Sequence, residues 1–303
     1  MKKPKPSKKP SKKKNKGKLT HKKSSLTNCL VIGDMGKGTN DQRNVAKSMK
    51  LLYKQYKPKF VLGLGDNIYP NGCSSKNDPM FLSHFERPYS ILPNHRWYMC
   101  LGNHDYGYER SFNSISGFKD NSNSQVDYTN LSKKWYMPSK YYSFVKGPVE
   151  FFYLDSNTDR VPEHEIQKQL EIMKDKLDNS NKKFKVVVGH HTWRSVAGHA
   201  NAERRYETFL NDLFKDTKPN MYLCGHDHCK SLIVKDDGIV LGVLGTGGES
   251  YDNDPPPALN NMHDCRLDYF SPSLGAGILQ IGRNNLTLKF FNEKGFCEYS
   301  HSC

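Results

Sequence analysis

Tyr222-Leu-Cys-Gly-His226-Asp-His228 is a short apolar run that ends in glycine and is followed at once by histidines. Buried strands of this kind end at one edge of an α/β sheet, where the loops converge and sites assemble. A glycine lets the backbone turn sharply before the ligand-type side chain. Four other runs have the same form: Leu30-Val-Ile-Gly-Asp34, Leu62-Gly-Leu-Gly-Asp66, Cys100-Leu-Gly-Asn103-His104-Asp105 and Val186-Val-Val-Gly-His190. Together the five runs predict one shared metal site.

Around these runs, apolar strand patterns alternate with helical patterns, which indicates an α/β protein. Thr39 is predicted to cap the first helix, because Gln42 follows three residues later and Val45, Met49 and Leu52 recur at helical spacing. The polar stretch 108–140 is predicted to form a surface loop. The predicted strands are 29–32, 60–64, 97–101, 141–145, 151–154, 185–188, 221–224, 239–244, 277–281 and 286–291, and the other predicted helices are 80–89, 162–177 and 203–214.

The positive charge of the chain is concentrated at its amino end. The whole chain carries a net charge of +15, from 46 basic and 31 acidic residues. Residues 1–23 contain 12 lysines and no acidic residue, which leaves 34 basic against 31 acidic residues elsewhere, or +3. With so little to bury, residues 1–25 are predicted to be a disordered tail, and residues 26–303 a single folded domain. Lysines in such a tail are expected to bind polyanions without sequence preference.

The composition also narrows the class of protein. Hydrophobic residues make up 36% of the chain, enough for a large core. No run approaches the ~18 consecutive apolar residues that a membrane helix needs. The amino end lacks the apolar region of a secretory signal, so we expect an intracellular protein, cytoplasmic or nuclear, with its eight cysteines as reduced thiols. We also expect a monomer.

The five blocks, in this order, resemble those of the calcineurin-like metallophosphoesterases, and within them the purple acid phosphatases. Most relatives have a metal-binding histidine at the position of Gly36 and an aspartate at the position of Tyr69. The loss of one ligand and the gain of another distinguish the purple branch. The chain length and the Gly198-His199 pair resemble the small, tartrate-resistant type. The resemblance covers residues 28–292 and implies a four-layer α/β/β/α sandwich.

The resemblance implies two metal ions that share one carboxylate. The ligands of the first metal would carry about two and a half negative charges together if the phenol is ionised, which suits Fe(III). The ligands of the second metal are nearly neutral together, which suits Fe(II), Zn(II) or Mn(II). The implied ligands are Asp34, Tyr69, His228 and the shared Asp66 for the first metal, and Asn103, His190, His226 and the same Asp66 for the second.

The activity implied by the resemblance is that of an acid phosphatase on phosphate monoesters, either small molecules or phosphoproteins. A metal-bound hydroxide is expected to attack phosphorus while both metals neutralise the developing charge. His104 and His199 are expected to stand over the substrate and to assist the departing alkoxide, and neither is expected to bind metal.

Two other interpretations stay open. A phosphodiesterase or nucleotidase of the same superfamily would use two divalent metals, and the tyrosine at position 69 argues against it. A catalytically retired, polyanion-binding protein would use the same scaffold with a basic tail. A retired site is expected to lose some ligands, and all seven ligand-type residues are present.

Overall fold

The computed structural model describes residues 1–3, 26–107, 120–250 and 262–303. Two seven-stranded mixed sheets form the centre of the fold. The first sheet comprises β1 (Thr27–Ile32), β2 (Val61–Gly63), β3 (Trp97–Tyr98), β4 (Trp135–Tyr136), β12 (Gly275–Ile281), β13 (Leu286–Asn292) and β14 (Cys297–Ser302), in the spatial order β14-β13-β12-β1-β2-β3-β4. The second comprises β5 (Tyr142–Lys146), β6 (Val149–Tyr153), β7 (Phe184–Val188), β8 (Met221–Cys224), β9 (Lys230–Lys235), β10 (Val240–Leu244) and β11 (Cys265–Ser271), in the order β11-β9-β10-β8-β7-β6-β5.

The helices lie outside the two sheets. They are α1 (Asn40–Tyr56), α2 (Ser122–Tyr128), α3 (Glu163–Asp178) and α4 (Arg204–Leu213). Alternate residues of β7 show that the second sheet is covered on both faces. Val186 and Val188 belong to the core between the sheets, whereas Val187 packs in a second core with residues of α3 and α4 such as Met173 and Phe209. The first sheet packs against α1 through β12. The layers are therefore α1, first sheet, second sheet, and α3 with α4, which confirms the four-layer α/β/β/α sandwich.

The central strands of each sheet are parallel, and this places the five predicted runs together. β1, β2 and β3 are parallel neighbours in the first sheet, and β6, β7, β8 and β10 are parallel neighbours in the second. Their carboxyl ends meet at one edge. The backbone N–H of Gly33 donates to the carbonyl of Leu244 at 2.9 Å and so joins the two sheets at that edge.

The predicted start of α1 is confirmed. The Thr39 hydroxyl accepts from the backbone N–H of Gln42 at 3.3 Å, and the Gln42 side chain accepts from the N–H of Gly38 at 2.8 Å. The helix ends at Lys57, which has a φ of +50° and donates its N–H to the carbonyl of Tyr53. These contacts fix both ends of the helix between β1 and β2.

Several elements differ from the prediction. The predicted helix 80–89 contains a π-helical turn, Phe81–Glu86, and the predicted strand 97–101 pairs only at Trp97–Tyr98. The predicted loop 108–140 was wrong in its second half, because α2 and β4 lie there. Its first half, 108–119, lies outside the described residues, as do residues 4–25 of the predicted tail.

All eight cysteines are free thiols, and five of them are buried. Within the described ranges, no helix is both long enough and apolar enough to cross a bilayer.

Candidate metal centre

In the turns after the strands, three of the predicted ligands have a backbone conformation that residues other than glycine rarely adopt. Asp34, Asp66 and His226 have φ values of +54°, +48° and +71°. Left-handed backbone costs about 1–2 kcal/mol per residue, so it persists only where the surroundings enforce it. One enforcing contact is the N–H of His226, which donates to Asp34 Oδ2 at 2.9 Å. These turns direct the ligand side chains over the common edge of the two sheets.

The first cluster of donor atoms is centred on the Tyr69 hydroxyl. It lies 3.1 Å from Asp34 Oδ1, 2.9 Å from Asp66 Oδ2 and 3.2 Å from His228 Nε2. All four side chains are buried. The predicted ligands of the first metal are thus brought together.

The second cluster is centred on the Asn103 side-chain oxygen. It lies 3.1 Å from His190 Nε2 and 3.1 Å from His226 Nδ1. His190 donates its Nδ1–H to the Leu64 carbonyl at 2.9 Å, which turns Nε2 towards the cluster, 3.4 Å from Asp66 Oδ2. Because Asp66 Oδ2 also contacts the Tyr69 hydroxyl at 2.9 Å, the two clusters share one carboxylate oxygen.

The chemistry of the donor set fits two cations. Burial and the carboxylates of Asp34 and Asp66 hold the pKa of Tyr69 well above its usual value, so only a strong cation would ionise the phenol there. Burial disfavours the charged form of His190, but the carboxylates of Asp66 and Asp34 outweigh it and raise the pKa to about 9. Asp34, Asp66 and His190 each offer one atom, all within 4.8 Å of one another. Oxygen and imidazole donors this close and this buried are typical of a metal site.

The backbone around Gly36 leaves no room for a side chain. A Cβ atom at this position would lie 1.7 Å from the carbonyl oxygen of Asn67. No side chain fits there without moving the segment that carries Asp66. The Tyr69 hydroxyl lies among the donor atoms of the first cluster.

The two predicted catalytic histidines lie beside different clusters. The His104 ring lies over the Tyr69 ring, with 4.3 Å between centroids, and its Nε2 is 4.0 Å from Asp66 Oδ2. The His199 ring stacks on the His226 ring, with 4.0 Å between centroids. His199 also lines a cavity of about 220 Å³ together with Asn103 and His226. Both histidines therefore border the centre.

Ser156 and His191 were not predicted as a functional pair. Ser156 follows β6, and its hydroxyl accepts from the backbone N–H groups of His190 and His191 at 3.1 and 3.0 Å. The hydroxyl therefore donates its own hydrogen to His191 Nδ1, 2.8 Å away. This leaves the N–H of His191 on Nε2, and His191 lines the same cavity as His199. A serine after a strand gives no sequence signal of this kind.

Asp105 holds the strand-end loops in place. Its buried carboxylate accepts from the backbone N–H groups of Asn67, Ile68 and Gly102 and from the side chain of Gln125. Burial and the nearby Asp66 raise its pKa to about 7. Asp105 therefore fixes the loop that presents Asp66 and Tyr69 against the loop that presents Asn103.

Lys37 and Glu249 form an outer contact to the first cluster. The Lys37 ammonium lies 3.9 Å from the centroid of the Tyr69 ring and pairs with the Glu249 carboxylate. Glu249 also lies 3.1 Å from His228 Nδ1, on the side of the ring away from the cluster. A carboxylate in this position orients a ligating imidazole. No local sequence pattern indicates Glu249, because it follows a glycine-rich run far along the chain from Lys37 and from the Asp34 turn.

A two-sheet sandwich with Asp, Asn and His side chains at its strand ends is typical of one class of protein. Comparison with known proteins identifies that class. The profile of the calcineurin-like phosphoesterase family matches residues 27–230, so the chain belongs to that family. Purple acid phosphatase 4 of Arabidopsis thaliana is similar to this chain, with 28% identity over 280 residues that cover 88% of this chain and 80% of the relative. Tartrate-resistant acid phosphatase type 5 of Sus scrofa is 29% identical over 224 residues, which cover 67% of this chain and 62% of the relative.

Solved structures support the fold. GAP50, described as the anchor in the inner membrane complex of Plasmodium, aligns with a TM-score of 0.76 and 22% identity over 91% of this chain and 88% of its own. The purple acid phosphatase PPD1 of yellow lupin aligns with a TM-score of 0.70 and 17% identity over 92% of this chain. The alignment covers 54% of the lupin enzyme. The similarity to purple acid phosphatases thus extends from sequence to fold.

Proposed function

We propose that this protein is an acid phosphatase that hydrolyses phosphate monoesters with Fe(III) in the first cluster and Fe(II), Zn(II) or Mn(II) in the second. The observation that supports it is the pair of donor clusters sharing Asp66 Oδ2, one with a phenol and two carboxylates, the other with an amide and two imidazoles. Bound metals would neutralise charge on the phosphoryl group and acidify the attacking water. The metals would be held by Asp34, Tyr69, His228 and Asp66 at one position and by Asn103, His190, His226 and Asp66 at the other.

His104 is the proposed proton donor to the leaving group. Its Nδ1–H donates to the Pro70 carbonyl at 2.6 Å, so Nε2 is the nitrogen that takes up and releases a proton beside the clusters. His199 is held by its backbone N–H, which donates to Asp227 Oδ1 at 2.7 Å. This contact keeps the His199 ring against His226 and at the cavity, where it would contact a phosphate ester. Both assignments remain proposals.

The test is hydrolysis of p-nitrophenyl phosphate at acidic pH by protein purified without added metal, with metal analysis and a visible spectrum. We expect iron, turnover, and a phenolate-to-Fe(III) charge-transfer band. Tyr69→Phe should abolish the band and leave the fold intact. Tyr89→Phe, at a buried tyrosine outside the clusters, should leave it unchanged. Iron-loaded, oxidised protein without a visible band would contradict the mixed metal pair.

The same experiment separates the alternatives. Turnover that requires two divalent ions and shows no iron would favour a phosphodiesterase or nucleotidase. Metal-loaded protein without turnover would favour a non-catalytic role. The two clusters retain all seven proposed ligand residues, and this favours catalysis over a non-catalytic role.

The lysine-rich segment is proposed to contact polyanions. Its 12 lysines in residues 1–23 would bind by counterion release. Deletion of residues 1–24 should leave kcat on a small phosphate ester unchanged and weaken retention on heparin at low salt. Loss of small-substrate turnover in a folded, metal-loaded deletion variant would show that the segment belongs to the active site.

A further inference from the structure

A basic groove lies where α1 ends. The cavity has a volume of about 350 Å³, and four lysines line it: Lys50, Lys54, Lys57 and Lys59. All four side chains are exposed. Within the described ranges none of them forms an ion pair with a carboxylate, whereas Lys174 pairs with two, Asp178 at 2.8 Å and Asp216 at 2.5 Å. The groove is therefore a cluster of positive charge that the fold itself does not neutralise.

The groove is remote from the metal centre. α1 starts after the carboxyl end of β1 and returns to the amino end of β2, and these strands are parallel. Its 17 residues span about 25 Å at 1.5 Å per residue. The groove therefore lies at the opposite edge of the sheet from the donor clusters, and a molecule bound there would not contact the catalytic residues.

The groove also carries a ring and an apolar side chain. His95 lines it and stacks on Tyr53, with 5.6 Å between centroids and 14° between planes, which holds the imidazole in place. Ile91 lines it with 39% of its surface exposed. Lysines that follow a phosphate backbone, together with fixed rings and apolar side chains that contact bases, are the features of single-strand binding sites.

The shape distinguishes between polyanions. A bilayer surface is flat, whereas this site is concave. The fixed imidazole of His95 and the exposed side chain of Ile91 favour a single strand over a double helix, because the bases of a duplex are stacked inside it and cannot contact them. We propose that the groove binds single-stranded nucleic acid through its phosphates. The proposal does not depend on phosphatase activity, and the groove's own lysines carry it.

The chain enters the fold beside the groove. The side-chain N–H of Asn28 donates to the Tyr56 carbonyl at 2.5 Å, and the N–H of Lys59 donates to the Asn28 carbonyl at 2.8 Å. The lysine-rich sequence precedes Asn28 by only a few residues. A strand held in the groove would thus lie beside the start of β1.

The test measures binding of a fluorescent 20-nucleotide oligo(dT) to the full chain over a range of NaCl concentrations. For single strands, the slope of log K against log[salt] changes by about 0.7 for each phosphate contact. Substitution of the four groove lysines by glutamine should reduce the magnitude of the slope by about 3 and weaken binding at low salt at least tenfold. The matched control replaces four exposed lysines on the α3 and α4 side, Lys168, Lys176, Lys183 and Lys215, by glutamine.

The control variant loses the same charge and should change the slope by less than one. The corresponding four Lys→Arg substitutions should retain binding, and thermal unfolding should be the same in all variants. Equal effects of the groove and control variants would overturn the proposal, because binding would then reflect net charge or the lysine-rich segment alone. The proposal would also be overturned if the groove variant lost binding to phosphatidylserine vesicles while its binding to oligo(dT) stayed unchanged.

Discussion

The phenol of Tyr69 lies between charges of opposite sign. Two carboxylates, those of Asp34 and Asp66, face its hydroxyl, and the Lys37 ammonium faces its ring at 3.9 Å. A cation over the face of an aromatic ring is stabilising, and more so where the ring is desolvated. Glu249 pairs with Lys37 and keeps the ammonium in place. The positive charge of Lys37 is therefore expected to lower the energy of the electrons of this ring.

Removal of that charge should change the colour of the iron-loaded protein. In Lys37→Met the electrons of the phenolate would lie at higher energy, so the charge-transfer band should move to longer wavelength. Lys37→Arg keeps the positive charge and should keep the band near its original position. Visible spectra of the oxidised proteins, at equal iron content, make the comparison. A band that does not move in Lys37→Met would show that the ammonium has no influence on the phenolate.

The proposed role of His104 depends on the leaving group. His104→Ala should lower kcat about 100-fold for an alkyl phosphate, the usual scale for a lost general acid. The loss should be smaller for p-nitrophenyl phosphate, because p-nitrophenolate leaves without a proton. The control is His164→Ala, at an exposed histidine of α3 whose side chain is 76% accessible. Equal losses on both substrates, with metals bound, would argue against proton donation by His104.

The sequence predicted the seven proposed ligands but not the residues that surround them. Six of the seven stand at the ends of the five apolar runs, so local sequence marks them as candidate donors, whereas the role of Tyr69 was implied only by the family resemblance. Lys37, Glu249 and Ser156 act through contacts between loops that are distant in the chain, and no local pattern encodes such contacts. Gly36 was informative because a glycine stood where a ligand is usual.

At the scale of elements, α1 shows a conflict between the residue and the backbone it occupies. Lys57 has φ +50° and ψ +51°, the left-handed conformation that commonly ends a helix and that glycine adopts most easily. Its N–H closes the last turn on the Tyr53 carbonyl at 3.0 Å. The side chain is exposed, so nothing in the core compensates for the strain.

Lys57→Gly should therefore increase the free energy of unfolding by about 1 kcal/mol, because glycine relieves the left-handed strain. Lys54→Gly, inside the last turn of the same helix, should decrease it by about 1 kcal/mol. Urea denaturation at neutral pH measures both differences. A decrease in both variants would mean that glycine destabilises this turn through the unfolded chain and that the strain at Lys57 is small.

Elements were predictable where their pattern is apolar, and less so elsewhere. β7 and β8 are continuous apolar strands and were found within a residue or two. β14 is the outer strand of its sheet and mostly exposed, so its sequence alternates without a clear buried face. α2 has seven residues and only short polar turns around it. Tertiary packing, which local sequence does not report, defines both.

At the scale of the whole molecule, one buried cation joins the two sheets. Lys230 lies in β9 of the second sheet and is fully buried. Its ammonium donates to Glu298 Oε2 of β14 at 2.6 Å and to the Phe291 carbonyl of β13 at 3.2 Å, both in the first sheet. A buried charge of this kind is stable only while its partners remain.

Lys230→Met should decrease the free energy of unfolding by about 3 kcal/mol, since it leaves a partly buried carboxylate without its partner. The double variant Lys230→Met/Glu298→Leu should recover most of that loss, because paired removal leaves no unmatched charge. Urea denaturation of the wild type, both single variants and the double variant measures the coupling. Additive losses would show that the two side chains stabilise the sheets independently.

Gly36 also constrains how this chain could change over time. A side chain at this position would meet the Asn67 carbonyl at 1.7 Å, in the segment that also carries Asp66. A histidine at this position would therefore displace the segment of Asp66 before its own ring could act as a donor. To use a histidine at position 36 as a donor in place of Tyr69, this protein would need several substitutions at once, because the segment around Asn67 would also have to move.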